Sequence, residues 1–178
     1  MLNQLINVFW TATSFAVVIY YWERYISEKG IHWPLYVIIS LSVLVYLFPG
    51  RWFSAFTLSN KRRTYERLGV RFILWFVQNG TFVARVRRNR TEALISNRKS
   101  ASTYLTTIAM QERYHYCCFV FFLLSTGSAF LIGKITLALL ILLSNLVYNV
   151  CPILLQQYNR LRINLLLSGS GLSIPLKK

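Results

Sequence analysis

The chain has 178 residues, of which 55% are hydrophobic, yet it carries 20 Lys and Arg against 5 acidic residues and a formal net charge of +15. The apolar residues come in long runs and the basic residues in separate patches, a division that argues against an ordinary soluble domain and is typical of an integral membrane protein. The length suits one domain, so residues 1–178 are expected to form a single membrane domain.

Four apolar runs predict transmembrane helices, and hence an all-α integral membrane protein. The first covers residues 5–22 and ends in aromatic residues suited to a membrane–water interface. The second, residues 35–48, is shorter than the ~20 residues that a full crossing prefers, so whether it crosses fully stays open. The third and fourth, residues 116–132 and 135–155, are separated only by Gly133 and Lys134. They predict an antiparallel hairpin.

A basic loop, residues 51–115, lies between the second and third runs and holds most of the Lys and Arg. Within it, residues 65–76 place Tyr65, Leu68 and Phe72 at helical spacing, which predicts a basic amphipathic helix in the membrane interface. The basic run at 85–90 is interpreted as a solvated face, with binding of an anionic lipid headgroup as the alternative. Because Lys and Arg mark cytoplasmic segments, this loop, the tail 156–178 and both termini are predicted to be cytoplasmic.

The third helix begins with Glu112 and His115, whose three-residue spacing puts them on one face. A carboxylate beside an imidazole fixes its tautomer and raises its basicity, as a base that removes an alcohol proton requires. The other reading is a polar pair that caps the membrane portion and does no chemistry.

The hairpin brings this pair to the same membrane side as a polar cluster beyond the fourth helix, namely Gln156, Tyr158, Asn159, Arg160 and Arg162. A guanidinium from Arg160 or Arg162 suits a phosphate or carboxylate of a donor, although both could serve only as cytoplasmic anchors. Glu66 is expected to pair locally with arginines or to hold an arginine of the site.

Other classes of site are not expected. A single Glu-x-x-His falls short of a carboxylate-bridged di-metal bundle, which needs a second such pair, so no metal and no cofactor are predicted. Three cysteines, Cys117, Cys118 and Cys151, lie in apolar runs and are interpreted as packing residues. Nucleic acid is not an expected partner, because membrane interfaces explain the aromatic residues among the basic ones.

Several of these residues together resemble a known family. The C-terminal motif consists of Asn149, Pro152 and Gln156-Gln157-Tyr158-Asn159-Arg160-Leu161-Arg162. It is preceded by Glu112-x-x-His115 and, further upstream, by Tyr65-Glu66 with Gly69. This pattern is similar to that of the bacterial glycosyl-4,4'-diaponeurosporenoate acyltransferases of staphyloxanthin-type carotenoid biosynthesis. The resemblance brings Asn149 into the candidate site. The chain departs from the family at Gln157, where Arg is common, and this puts an anionic donor site in question.

The resemblance implies a membrane-bound acyltransferase of the bacterial cell membrane. It would move a fatty acyl group from a donor such as an acyl thioester onto a hydroxyl of a glycosylated carotenoid or related glycolipid at the cytoplasmic leaflet. His115 would take the acceptor proton, Glu112 would orient His115, and Asn159 with Arg160 or Arg162 would hold the donor or its oxyanion. The alternative is a non-catalytic membrane protein that binds anionic lipid or serves as a subunit of a larger membrane complex.

Overall fold

The computed structural model describes residues 2–30, 33–76 and 98–169, and in these ranges it is all-helical, as predicted. The helices are α1 (Leu2–Lys29), α2 (Trp33–Tyr46), α3 (Gly50–Ala55), α4 (Arg62–Arg67), α5 (Val70–Phe76), α6 (Arg98–Leu131), α7 (Ile135–Asn145) and α8 (Cys151–Gly169). A π-helical turn, Leu146–Val150, joins α7 to α8.

Three helical segments are long and apolar enough to cross a membrane: Gln4–Lys29, Ala101–Leu131 and Ile135–Leu165. Large apolar side chains cover their outer faces; Leu139 is 53% exposed and Leu143 58% exposed, a surface that suits lipid and not water. The chain is therefore a membrane protein. Helix α2 has 14 residues, or about 21 Å against a hydrocarbon core of about 30 Å, so the fourth crossing stays a prediction.

The long helices form an antiparallel hairpin, as predicted, with α1 and α2 packed against it. Gly133 closes the turn between α6 and α7 with φ of 75°, and Lys134 Nζ lies 3.1 Å from Glu28 Oε1. We call this the turn end. At the other end of α1, Thr11 Oγ1 lies 3.1 Å from the Tyr148 hydroxyl. Helix α1 thus runs parallel to α6, and α2 returns the chain to the opposite end, which we call the open end.

The core near the turn end joins all four long elements. Phe122 is fully buried from α6 and packs edge-to-face on Phe15 of α1 at 5.2 Å between ring centroids. The hydroxyl of Tyr21 lies 2.7 Å from Ser128 Oγ, and the indole of Trp22 donates to Ser125 Oγ at 3.0 Å. Because lipid offers these polar groups no partner, the two bonds fix α1 against α6.

The predicted interfacial helix is broken, and its buried face differs from the predicted one. Residues 65–76 fall in α4 and α5, and Gly69 between them adopts φ of 78°, a left-handed conformation that ends the first helix. Tyr65 is fully buried against α8, whereas Leu68 and Phe72 are 50% and 68% exposed. The residues of the expected apolar face therefore do not share one side: Tyr65 packs inside the protein, whereas Leu68 and Phe72 are exposed.

Helices α6 and α8 also extend further than predicted, to Arg98 at one end and Gly169 at the other. Their outer parts pack on each other through Ala101, Ile108, Ile163 and Leu167. The basic run at 85–90 lies outside the described residues.

The packing of this core predicts that alanine substitution of two phenylalanines on α6 lowers the stability of the protein by different amounts. Phe122→Ala should open a cavity that the packed neighbours fill only in part, and should lower the thermal unfolding midpoint in detergent by about 5 °C or more. Phe130→Ala, at a position that is 44% exposed, is the matched control and should change the midpoint little. Equal shifts for the two variants would contradict this packing.

Candidate active site

Polar residues pair across the interface between α6 and the helix that runs from α7 through α8. From the turn outward, the contacts join the Phe119 carbonyl to Asn145, His115 to Asn149 and Gln111 to Gln156, and the long Arg160 side chain reaches back to Glu112. This interface therefore brings together most of the site residues that the sequence predicts.

A ladder of side-chain amides supports His115. Asn145 Nδ2 donates to the Phe119 carbonyl at 3.2 Å, and Asn149 Nδ2 donates to Asn145 Oδ1 at 2.8 Å. Asn149 Oδ1 then lies 3.4 Å from Nδ1 of His115. Asn145 and Asn149 are 1% and 0% exposed, so protein groups alone satisfy them.

The direction of this ladder fixes the tautomer of the imidazole. A backbone carbonyl only accepts, so Asn145 must present its NH2 group to Phe119 and its oxygen to Asn149. By the same logic Asn149 presents its oxygen to His115, and Nδ1 of His115 donates. In the neutral ring the lone pair is then on Nε2, and that nitrogen is the basic atom.

The π-helical turn shapes the wall that His115 faces. The Cys151 amide donates to the Leu146 carbonyl, five residues back, and the next residue, Pro152, has no N–H to give to the preceding turn. The Tyr148 hydroxyl lies 3.0 Å from the hydroxyl of Tyr114 and 3.1 Å from Thr11 Oγ1. The Tyr148 ring lies edge-to-face with His115, 5.6 Å between centroids. Single π turns of this kind are frequent at functional sites.

Glu112 does not orient His115, contrary to the prediction. Its Oε2 accepts a hydrogen bond from Arg160 Nη1 at 2.5 Å, and Nη2 of the same guanidinium donates to Thr57 Oγ1 at 2.7 Å. The Glu112 side chain is 1% exposed, and its Oε1 has no hydrogen-bond partner within the described ranges. Helical spacing put Glu112 and His115 on one face, but the facing helix supplies a different partner to each.

Gln157 is a structural hub, a role that the sequence did not reveal. It is 2% exposed. Its Oε1 accepts from the Leu58 amide and the Tyr65 hydroxyl, and its Nε2 donates to the Phe56 carbonyl and the Tyr116 hydroxyl, each at 3.1 Å. All four hydrogen-bonding positions of the amide are used. Gln157 thus fastens the segment 56–59 to α8.

A second, outer cluster surrounds the Tyr158 ring and contains Glu66. Arg62 Nε lies 2.7 Å from Glu66 Oε1, and Arg71 Nη2 lies 3.2 Å from the same oxygen. The Tyr158 hydroxyl donates to that oxygen at 3.2 Å. Desolvation raises the pKa of Glu66, but the hydrogen bonds from Arg62 and Arg71 outweigh it, so the pKa lies below its usual range. Glu66 is therefore ionised at neutral pH.

The structure separates the remaining predicted residues. Arg162 stacks on Tyr158, with Cζ 5.7 Å from the ring centroid, and so belongs to the outer cluster. Asn159 is half-buried and makes no hydrogen bond among the described residues. Gln156 donates to Gln111 Oε1 at 2.6 Å on the exposed side. In the described ranges no group of three His, Cys, Asp or Glu could hold a metal.

Sequence reasoning missed Asn145, Thr57, Tyr65 and Tyr116 as members of the polar network. Asn145 gave a signal, since an amide inside a Leu-rich run is costly unless it is paired, and Tyr65 stood in the family motif without a role. A shallow pocket does exist elsewhere, between Arg24, Glu28 and Lys134. It lies at the turn end, away from His115, and is not part of this site.

Most of the chain matches a known protein family. A family model described as glycosyl-4,4'-diaponeurosporenoate acyltransferase matches residues 49–169, more than half of the chain. The matched region contains the amide ladder, the Glu112–Arg160 pair and the Tyr158 cluster. No curated protein and no solved structure gave a match.

The hub role of Gln157 predicts a local opening when its amide is removed. Gln157→Leu leaves the Leu58 amide and the Tyr65 hydroxyl without this acceptor, so amide hydrogens of the segment 56–59 should exchange with deuterium about tenfold faster. Gln156→Leu, at the adjacent and more exposed position, is the control and should leave their exchange unchanged. Unchanged exchange in Gln157→Leu would contradict the hub.

Proposed function

Because the chain belongs to the glycosyl-4,4'-diaponeurosporenoate acyltransferase family, we propose that it is a membrane O-acyltransferase of carotenoid biosynthesis. It transfers a fatty acyl group from an activated donor, such as an acyl thioester, to a hydroxyl of a glycosylated carotenoid or a related glycolipid. The observation that carries this proposal is the amide ladder that leaves Nε2 of His115 as a base.

The chemistry centres on His115. Nε2 takes the proton of the acceptor hydroxyl while the oxygen attacks the donor's acyl carbonyl, and a tetrahedral oxyanion forms. The bond from the acyl carbon to the leaving group then breaks, and the proton on Nε2 passes to the departing group. Proton and charge balance with no further reactant. Asn149 positions the ring, whereas Glu112 holds the guanidinium of Arg160.

Arg160 is the cation that we assign to this step. Its two terminal nitrogens are held by Glu112 and Thr57, so the guanidinium is fixed before a ligand arrives. A preorganised positive group stabilises a developing oxyanion better than a mobile one, because no reorganisation is needed during the reaction. Asn159, one residue earlier, has a side chain without a hydrogen bond to any described residue, and supplies a further donor toward the acyl donor.

The depth of His115 suits an amphiphilic acceptor. His115 precedes Gly133 by 18 residues, which is about 27 Å of helix, close to the far side of a hydrocarbon core about 30 Å thick. An acceptor with an apolar chain and a sugar would present its hydroxyls at this level. The basic loop at the same end supports assignment of this surface to the cytoplasmic leaflet of the cell membrane, with both termini cytoplasmic.

Removal of the base should stop the reaction. His115→Gln should lower product formation about 10²- to 10⁴-fold, because the general base is lost. The measurement is mass spectrometry of lipid and carotenoid extracts from cells that contain candidate acceptors, with matched amounts of each variant in the membrane. A species heavier by one acyl chain should be present with the wild type and absent with His115→Gln.

The matched control is Cys117→Ala, two residues further along α6, which should keep full product formation. It also tests a covalent route through that thiol. Identical extracts from wild-type and His115→Gln cells would contradict the assignment and favour a non-catalytic, lipid-binding protein.

If Asn149 positions His115, two substitutions of Asn149 should lower the acyltransferase activity to different extents. Asn149→Leu removes the acceptor for Nδ1–H of His115 and should lower kcat about tenfold or more with little change in KM, since the wrong tautomer becomes accessible. Asn149→Asp keeps an oxygen acceptor and should retain clearly more activity. Equal losses in the two variants would show that Asn149 does not act through the imidazole.

A further inference from the structure

The outer cluster contains more positive charge than its internal partners use. Arg62 and Arg71 both pair with Glu66, and Arg162 lies over the neighbouring Tyr158 ring, so the cluster holds three guanidiniums and one carboxylate. Arg62 and Arg71 are 52% and 68% exposed at the side chain, and Arg162 is also exposed. A net positive charge of two therefore faces outward.

The geometry of Arg62 leaves its terminal fork available. It reaches Glu66 and the Tyr158 hydroxyl through Nε, at 2.7 Å and 3.2 Å, and its Cζ lies 5.9 Å from the Tyr158 ring centroid. Among the described residues, neither terminal nitrogen makes a hydrogen bond. Two parallel N–H groups of this kind match two oxygens of a phosphate.

The break at Gly69 brings Arg71 to the same carboxylate. In an unbroken helix, Arg71 would lie five residues after Glu66 and about 140° around the axis, too far to share its oxygen. The left-handed Gly69, with φ of 78°, redirects α5, and Arg71 Nη2 comes within 3.2 Å of Glu66 Oε1. The carboxylate thus acts as a template that sets two guanidiniums side by side.

The depth and the neighbours of this cluster indicate what it binds. Tyr158 follows Gly133 by 25 residues, which is about 37 Å of helix and past a hydrocarbon core of about 30 Å. That is the level of lipid headgroups. Leu68, directly after α4, and Phe72 of α5 are exposed, so an apolar surface adjoins the cations.

We propose that Arg62, Arg71 and Arg162, arranged by Glu66 and Tyr158, form a binding site for a phosphate group that is attached to an apolar chain. The phosphate oxygens accept from the guanidinium forks, and the chain lies along Leu68 and Phe72. The site is separate from the His115 ladder and does not depend on acyl transfer. A membrane phospholipid and a phosphate-bearing acyl donor share this chemistry.

The test is a binding measurement on the full chain in neutral maltoside micelles. Native mass spectrometry gives the Kd for dioleoyl phosphatidylglycerol, with dioleoylglycerol as the phosphate-free lipid of equal chains. The double variant Arg71→Gln, Arg162→Gln should weaken phosphatidylglycerol binding about tenfold or more, whereas dioleoylglycerol binding should not change.

The control is Arg63→Gln with Arg67→Gln, which removes the same charge from α4 at two exposed positions that do not contact Glu66. It should weaken binding by no more than about threefold, through general attraction alone. Equal losses in the two double variants would overturn the site, as would tight binding of dioleoylglycerol by the wild type. If the double variant does not fold, the single variant Arg162→Gln, at an exposed position, replaces it and should still weaken phosphatidylglycerol binding. Unchanged binding by that single variant would also overturn the site.

Inorganic phosphate separates the two sources of the ligand. Competition by millimolar phosphate would show that the oxyanion is sufficient, as for a soluble phosphate-bearing donor. Retained phosphatidylglycerol binding at the same phosphate concentration would show that the apolar chain is required, as for a membrane lipid. Both outcomes support the phosphate site, provided that binding requires Arg71 and Arg162.

Discussion

Polar side chains at membrane depth have no water to pair with, and this constraint organises the interface between α6 and the helix from Ile135 to Gly169. Each buried amide must find its donor and acceptor inside the protein. The antiparallel hairpin supplies them in order, from the Phe119 carbonyl through Asn145 and Asn149 to His115. The Phe119 carbonyl therefore orients both amides, and the Asn149 oxygen that faces His115 accepts from Nδ1 of the imidazole.

Two polar layers result, with different tasks. The inner layer lies between α6 and the π-helical turn with α8, and holds His115 and the Glu112–Arg160 pair. The outer layer lies between α8 and the two short helices α4 and α5, and holds Glu66, Tyr158 and the exposed arginines. Gln157 connects both to the segment 56–59, because it faces Tyr65 on one side and Tyr116 on the other. The neutral amide at this position thus serves a packing role in which every hydrogen-bonding group is used.

Hydrophobic runs and spacing were enough to predict the helical class, the hairpin and the approach of Glu112 to Arg160. They were not enough to predict partners. The spacing of Glu112 and His115 defines a common face, but only the facing helix decides that one meets Arg160 and the other Asn149. The amphipathic pattern of 65–76 likewise hid the left-handed Gly69, which divides the helix and turns Tyr65 inward while Leu68 stays exposed.

Within the described ranges, the Oε1 of Glu112 is a buried acceptor that no protein group reaches. A buried acceptor without a donor costs about 1–3 kcal/mol, and more when it is charged. A ligand that brings a hydroxyl to that oxygen recovers this cost, whereas the corresponding ether or deoxy compound does not. Sites that hold a buried polar group for a substrate hydroxyl reject analogues that lack it by about 10⁴-fold. A hydroxyl that reached this oxygen would therefore be preferred over the corresponding ether, on the strength of one oxygen of one carboxylate.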